Sequence, residues 1–155
     1  MVTSVVSSVL SCAACGDQEA LELALQQDGN IVDVAGKGFV GLLHAFLQQG
    51  ADVEIQDNKG RTALLLASGG GHIECVRYLI ESGKADVGIQ NIDGMTALMY
   101  ASRGGHIECV RYLVESGKAY VGIQDNDGWT ALKWASNKGH TEVCEYLKSK
   151  GARIA

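Results

Sequence analysis

The amino-acid sequence predicts an all-α repeat solenoid, and three observations carry that prediction. The first is self-similarity. Residues 57–90 and 91–124 agree at about 25 of 34 positions, and Gly60, Gly94 and Gly128 keep the same interval of about 34 residues. The second is helical spacing, with Ile73, Val76, Leu79 and Ile80 on one stripe and Glu74, Arg77 and Glu81 on the other. The third is the recurrence of Ala67-Ser68 as Ala101-Ser102, small side chains that let neighbouring helices come close. A single unit of this kind cannot bury its apolar stripe, so the units must stack.

Taken in order, one domain of five units fills residues 1–155. Residues 1–28 read as an N-terminal capping repeat, with helices over about 3–14 and 17–27; its irregularity fits an outer face that meets water. Residues 29–56 are a degenerate repeat, with a short helix around Ile31–Gly36 and a second around Phe39–Gln49 that is rich in Leu42, Leu43, Phe46 and Leu47. In the repeats at 57–90 and 91–124, Thr62 and Thr96 stand where a helix N-cap belongs, and glycines at 69–71 and 104–105 stop the short helix. A second helix runs from about His72 to Ser82. Arg77 can pair there with Glu74 and Glu81 at spacings of three and four, and Gly83 ends it. ADVGIQNIDG (85–94), with Val87 and Ile89 alternating, reads as a reversing loop or short hairpin. Residues 125–155 read as a C-terminal capping repeat, because TEVCEYLKSKG places Glu145 and Lys148 at apolar positions.

Composition narrows the function. Apolar residues make up 46% and charged residues 20%, as in a folded chain, and the net charge of −5 with no Lys/Arg cluster argues against a nucleic-acid partner. Five cysteines, an odd number without disulfide-scaffold spacing, point to a reducing compartment and a cytoplasmic location. The opening MVTSVVSSVLSCAACG has no basic leader, its apolar run is broken by serines, and Val2 excludes the usual myristoylation motif. No stretch reaches the roughly 20 apolar residues that span a bilayer.

The motifs D-x-x-G-x-T-A-L at Asp57 and Asp125, its Asn91 form, A-S-x-x-G-H-x-E and L-x-x-x-G together resemble the ankyrin-repeat family over nearly the whole chain, most strongly over 51–155. The resemblance implies a hairpin-like loop followed by two antiparallel helices, and a non-catalytic protein-binding role. Departures are informative. The family's T-P-L-H stands here as Thr62-Ala63-Leu64-Leu65, Thr96-Ala97-Leu98-Met99 and Thr130-Ala131-Leu132-Lys133. The helix-opening proline and the loop-bonding histidine are missing, which implies looser loop tethering. Glu54, Gly88 and Gly122 replace the asparagine that the family can have hydroxylated, and Lys84 and Lys118 are insertions that lengthen the loop after the second helix.

Catalytic and metal chemistry find little support. His72, His106 and His140 recur at the repeat period, about 8 to 10 Å apart in a stack, whereas ligands of one zinc ion lie about 2.1 Å from it. Bonding to loop backbone is the plainer role; His44 has no such companions. Cys12 and Cys15 have redox spacing, but three residues apart on a helix their Cβ atoms lie about 5 to 6 Å apart, too far for an unstrained bridge. Cys75 and Cys109 occupy the same repeat position and are separated in the same way. GGGH at Gly69 lacks the Lys and Ser or Thr of a phosphate loop, and the calcium-loop start at Asp125 has Ser136 where the bidentate Glu belongs. No enzyme, metal or cofactor is expected.

The family's partners are held by loop tips and the exposed side of the first helices. Carried over, the expected protein-binding residues are Asn58, Lys59, Arg61 and Leu66, then Ile92, Asp93, Met95, Tyr100 and Arg103, and finally Asn126, Asp127, Trp129, Trp134, Asn137 and Lys138. The duplicated repeats support this choice, because their differences include positions 58, 59, 61, 65, 66, 69 and 86 while the second helix is almost unchanged. Met95, Tyr100, Trp129 and Trp134 are expected to form an aromatic ridge flanked by Arg61, Arg103 and Lys138, side chains that dominate interfaces. Alternatively Tyr100 and Trp134 pack between repeats, leaving Trp129 outside. The expectation is a monomer that binds a protein as adaptor or scaffold. A stand-alone inhibitor of an enzyme or transcription factor is the second reading, and a membrane-tethered adaptor acylated at Cys12 or Cys15 a further one.

Overall fold

A threonine hydroxyl starts each of three helices in the computed structural model, which describes residues 31–153. Leu65 N donates to Thr62 Oγ1 (3.4 Å), Met99 N to Thr96 Oγ1 (3.4 Å) and Lys133 N to Thr130 Oγ1 (3.3 Å), each satisfying an amide that a helix start leaves orphaned. Gly71 and Gly105 end two of these helices at φ 73° and 74°, the left-handed region where a Cβ is disfavoured.

The described residues form eight α-helices and no strands. They are α1 (Ile31–Gly36), α2 (Val40–Gln48), α3 (Ala63–Gly70), α4 (Ile73–Glu81), α5 (Ala97–Gly104), α6 (Ile107–Glu115), α7 (Ala131–Asn137) and α8 (Thr141–Ser149). Successive pairs stack in one direction. The first helices α1, α3, α5 and α7 lie side by side much more closely than the second helices do. Ala67, Ala101 and Ala135 are fully buried along that seam, with Leu64, Leu98 and Leu132 filling the space beside them. Ser68 and Ser102 are also fully buried, yet the equivalent Ser136 is exposed, since no first helix follows α7 among the described residues. The helices expected over 3–14 and 17–27, and Cys12 and Cys15, lie outside the described residues.

The recurring histidines are latches between repeats. Each precedes a second helix without capping it, and Nε2 of His72, His106 and His140 donates to the carbonyl of Gly36, Gly69 and Arg103 respectively (3.1, 3.0 and 3.0 Å). The backbone they bond is thus at the end of the preceding repeat's first helix. This satisfies carbonyls that a helix end leaves open.

One local expectation needs correction. Arg77 does not pair with Glu74 or Glu81; its guanidinium lies over the Tyr112 ring at 5.4 Å, and Glu81 accepts the Tyr112 hydroxyl. The same exchange recurs one repeat on, with Arg111 over Tyr146 and the Tyr146 hydroxyl on Glu115. A neighbouring repeat offers better partners than the solvated helix surface. The second helix stops at Glu81, just before Gly83, as expected, and the left-handed conformation comes one residue after that glycine. That conformation falls on the inserted Lys84, φ 57°, and on Lys118, φ 58°, while a Cβ at Gly83 would meet the Leu79 carbonyl at 2.8 Å.

Candidate protein-binding face

The loop before each first helix is organised by its opening side chain. Oδ1 of Asp57, Asn91 and Asp125 accepts two backbone amides each, from Lys59 and Arg61, from Asp93 and Met95, and from Asp127 and Trp129, all at 2.8–3.0 Å. Such side-chain turns mimic backbone turns. The second polar atom then differs from repeat to repeat. Asp57 Oδ2 accepts Arg61 Nε at 2.7 Å in an ion pair, Asn91 Nδ2 donates to the Tyr100 hydroxyl at 2.9 Å, and Asp125 Oδ2 accepts Trp134 Nε1 at 2.8 Å. Carboxylate or amide is matched to what faces it: acceptors meet the guanidinium and the indole, and a donor meets the phenol.

Titration follows from this geometry. Burial pushes the Asp57 carboxyl up, but the Arg61 guanidinium and the amides of Arg61 and Lys59 outweigh it and hold the group below its usual value. Burial raises the Tyr100 phenol against the opposing Asn91 bond, so Tyr100 keeps its proton.

Consecutive loop tips are tied together. Ile92 N donates to Lys59 O (3.1 Å), Asn126 N to Asp93 O (2.9 Å), and Asn126 Nδ2 to Ile92 O (2.9 Å). The tethering that a missing loop histidine was expected to weaken is supplied by these bonds. On the far side of the first gap Glu54 accepts the Asp86 amide at 2.7 Å.

The tips leave Asn58, Lys59, Ile92, Asp93, Asn126 and Asp127 exposed, and the ends of the first helices leave Arg103, Asn137 and Lys138 exposed. Ile92, at the centre of its loop tip, is 63% exposed. Arg61, Leu66, Tyr100, Trp129 and Trp134 are half-buried. The two tryptophans touch, with centroids 4.8 Å apart, and their faces carry cations: Arg103 lies 5.2 Å from the Trp134 ring and Lys133 4.8 Å from Trp129. The partly exposed aromatic surface thus consists of the Trp129–Trp134 pair and of Tyr100, held by Asn91.

Met95 is not part of it. At 5% exposure it belongs to the core. Arg61, at the same repeat position, is drawn outward by Asp57, and Trp129 rests on Trp134; Met95 has no polar anchor outside, and its flexible thioether fills a gap within.

Sequence reasoning missed Asp33 and Gly36 on α1 and Lys37 just after it. They join Leu66, Tyr100 and Arg103 around a groove of about 440 Å³ on this face. The run Gly69-Gly70, where the next repeat has Arg103-Gly104, is the signal that could have pointed to a depression.

Away from this face, burial pushes the Cys75 and Cys109 thiols up to about 11, with Glu74 and Glu108 adding to the effect. Both stay protonated and poorly nucleophilic. Among the described residues no three His, Cys, Asp or Glu side chains converge on a possible ion, and no helix is long and apolar enough to cross a membrane.

Comparison with known proteins agrees with the architecture. A family model described as ankyrin repeats (3 copies) matches residues 31–125 and 83–155. Among curated proteins, Ankyrin repeat domain-containing protein 29 of Danio rerio is 50% identical over 50 residues, 32% of this chain and 17% of that protein. The chain thus matches only a small part of that relative's length.

Proposed function

Because the chain belongs to the ankyrin-repeat family, we propose that it is a non-catalytic adaptor or scaffold module that holds a protein partner against its loop tips and first helices. Ankyrin repeats are generally protein–protein interaction modules. The observation that carries the reading is where two nearly identical repeats differ. Positions 58, 59, 66 and 69 reach the loop tips and the outer side of α3, and their counterparts 92, 93, 100 and 103 do the same on α5. The binding surface is proposed to run from Asn58 and Lys59 through Ile92, Asp93, Tyr100 and Arg103 to Trp129, Trp134 and Lys138, with Met95 as internal support.

Site-specific photocrosslinking tests this. A crosslinker at Ile92 should capture a protein partner in lysate, and one at Glu142, on the exposed side of α8, should not. Trp129→Ala should weaken binding of the captured partner by about 2 kcal/mol or more, as expected for a hot spot. Capture from Glu142 alone would place the partner on the other side of the stack.

A further inference from the structure

The groove over Gly69 and Gly70 has a chemistry of its own. At this position α5 carries Arg103; on α3 there is no side chain, and a Cβ on Gly69 would already stand 3.0 Å from Tyr100 Cδ1. The resulting space, about 440 Å³, is larger than one side chain and is floored by Leu66 and the Tyr100 ring. Its rim is more cationic than the chain around it: Lys37 and Arg103 against Asp33 give +1, on a protein of net charge −5. The ion pairs among the described residues are Arg61–Asp57 and Lys150–Glu115, so neither rim cation is neutralised by one. Asp33, by contrast, already has an interaction partner. Arg103 rests one face of its guanidinium on Trp134, which fixes the group while leaving N–H donors at its edge. Tyr100 accepts from Asn91 and so has its own proton to donate.

We propose that this groove seats an acidic, extended peptide segment of the partner, with a Leu or Phe side chain over Leu66 and Tyr100 and the adjacent carboxylate between Lys37 and Arg103. An apolar anchor fixes position and a charge-assisted bond to arginine fixes orientation. The assignment rests on the binding face described above and names the kind of partner that face takes.

Fluorescein-labelled nine-residue peptide pools, flanked by Gly and Ser and fixed as Leu or Phe beside Glu, Gln or Lys, provide the probe for fluorescence polarisation. The Glu pools should bind about tenfold or more tighter than the Lys pools, and the margin should shrink as salt screens the rim. Gly69→Arg, which copies the next repeat, should abolish binding of the Glu pools. Should the Gly69 variant fail to fold, the exposed Arg103→Glu substitution reads the same site and should shift preference from Glu to Lys pools. Equal binding of all pools, or an Arg103→Glu variant with unchanged preference, overturns the proposal. So does concentration-dependent self-association that Gly69→Arg removes, since a second copy would then be the occupant. If the Ile92 crosslink captures a partner while the Glu pools show no preference, only the groove assignment falls; if Ile92 captures nothing as well, the binding face falls with it.

Discussion

The first helices and the second helices of this stack solve the packing problem in opposite ways. First helices meet closely, through Ala67, Ser68, Ala101 and Ser102, all fully buried. Their inner side is fixed by size alone, so their outer side can differ freely, as Leu66 against Tyr100 and Gly69 against Arg103 do. Second helices stand farther apart and touch at their surface through Arg77, Tyr112 and Glu81, then Arg111, Tyr146 and Glu115. Each of those contacts needs a particular side chain in two repeats at once. Constancy of sequence between α4 and α6, where only Ile80 and Val114 differ, therefore reflects the specificity of polar contacts across the gap as well as burial.

Substitutions can separate these two effects. Leu79→Ala, on the buried stripe of α4, should cost about 2–5 kcal/mol in urea denaturation, by the cavity it leaves. Ala101→Leu should cost about 1–3 kcal/mol by overpacking the seam between first helices; an unchanged midpoint would mean that close approach is not what sets their spacing. Tyr112→Phe removes one surface hydrogen bond and should cost about 0.5–1.5 kcal/mol. A loss as large as that of Leu79→Ala would show that the second helices depend on their polar ladder above all. Smallest, Ser102→Ala deletes a buried hydroxyl with no hydrogen-bond partner and should raise stability by up to about 1 kcal/mol, whereas Ser136→Ala, exposed at the end of the stack, should stay within about 0.5 kcal/mol of wild type.

The binding face was partly legible. Ile92, Asp93, Asn126 and Asp127 are at exposed tips because D-x-x-G turns are local and any fold must leave their centre outside. Met95 was misplaced because a side chain at this repeat position stays outside only when it has an anchor there, as Arg61 has in Asp57 and Trp129 in Trp134, whereas the thioether has none and packs inward. The contribution of α1 to the groove was invisible, since Asp33 and Lys37 sit in the repeat whose pattern is most degraded.

By itself the sequence determined the repeat period, which self-similarity displays directly, and the threonine caps, the glycine stops and the extent of α3 to α8 to within a residue or two, because each of these depends on neighbours within one helical turn. Tertiary structure alone decided the partners that polar side chains take across repeats. Arg77 leaves its own helix for Tyr112, His106 reaches back to Gly69, and Asn126 ties down Ile92. Those partners lie about one repeat away along the chain, a distance that stacking closes and that no local pattern encodes.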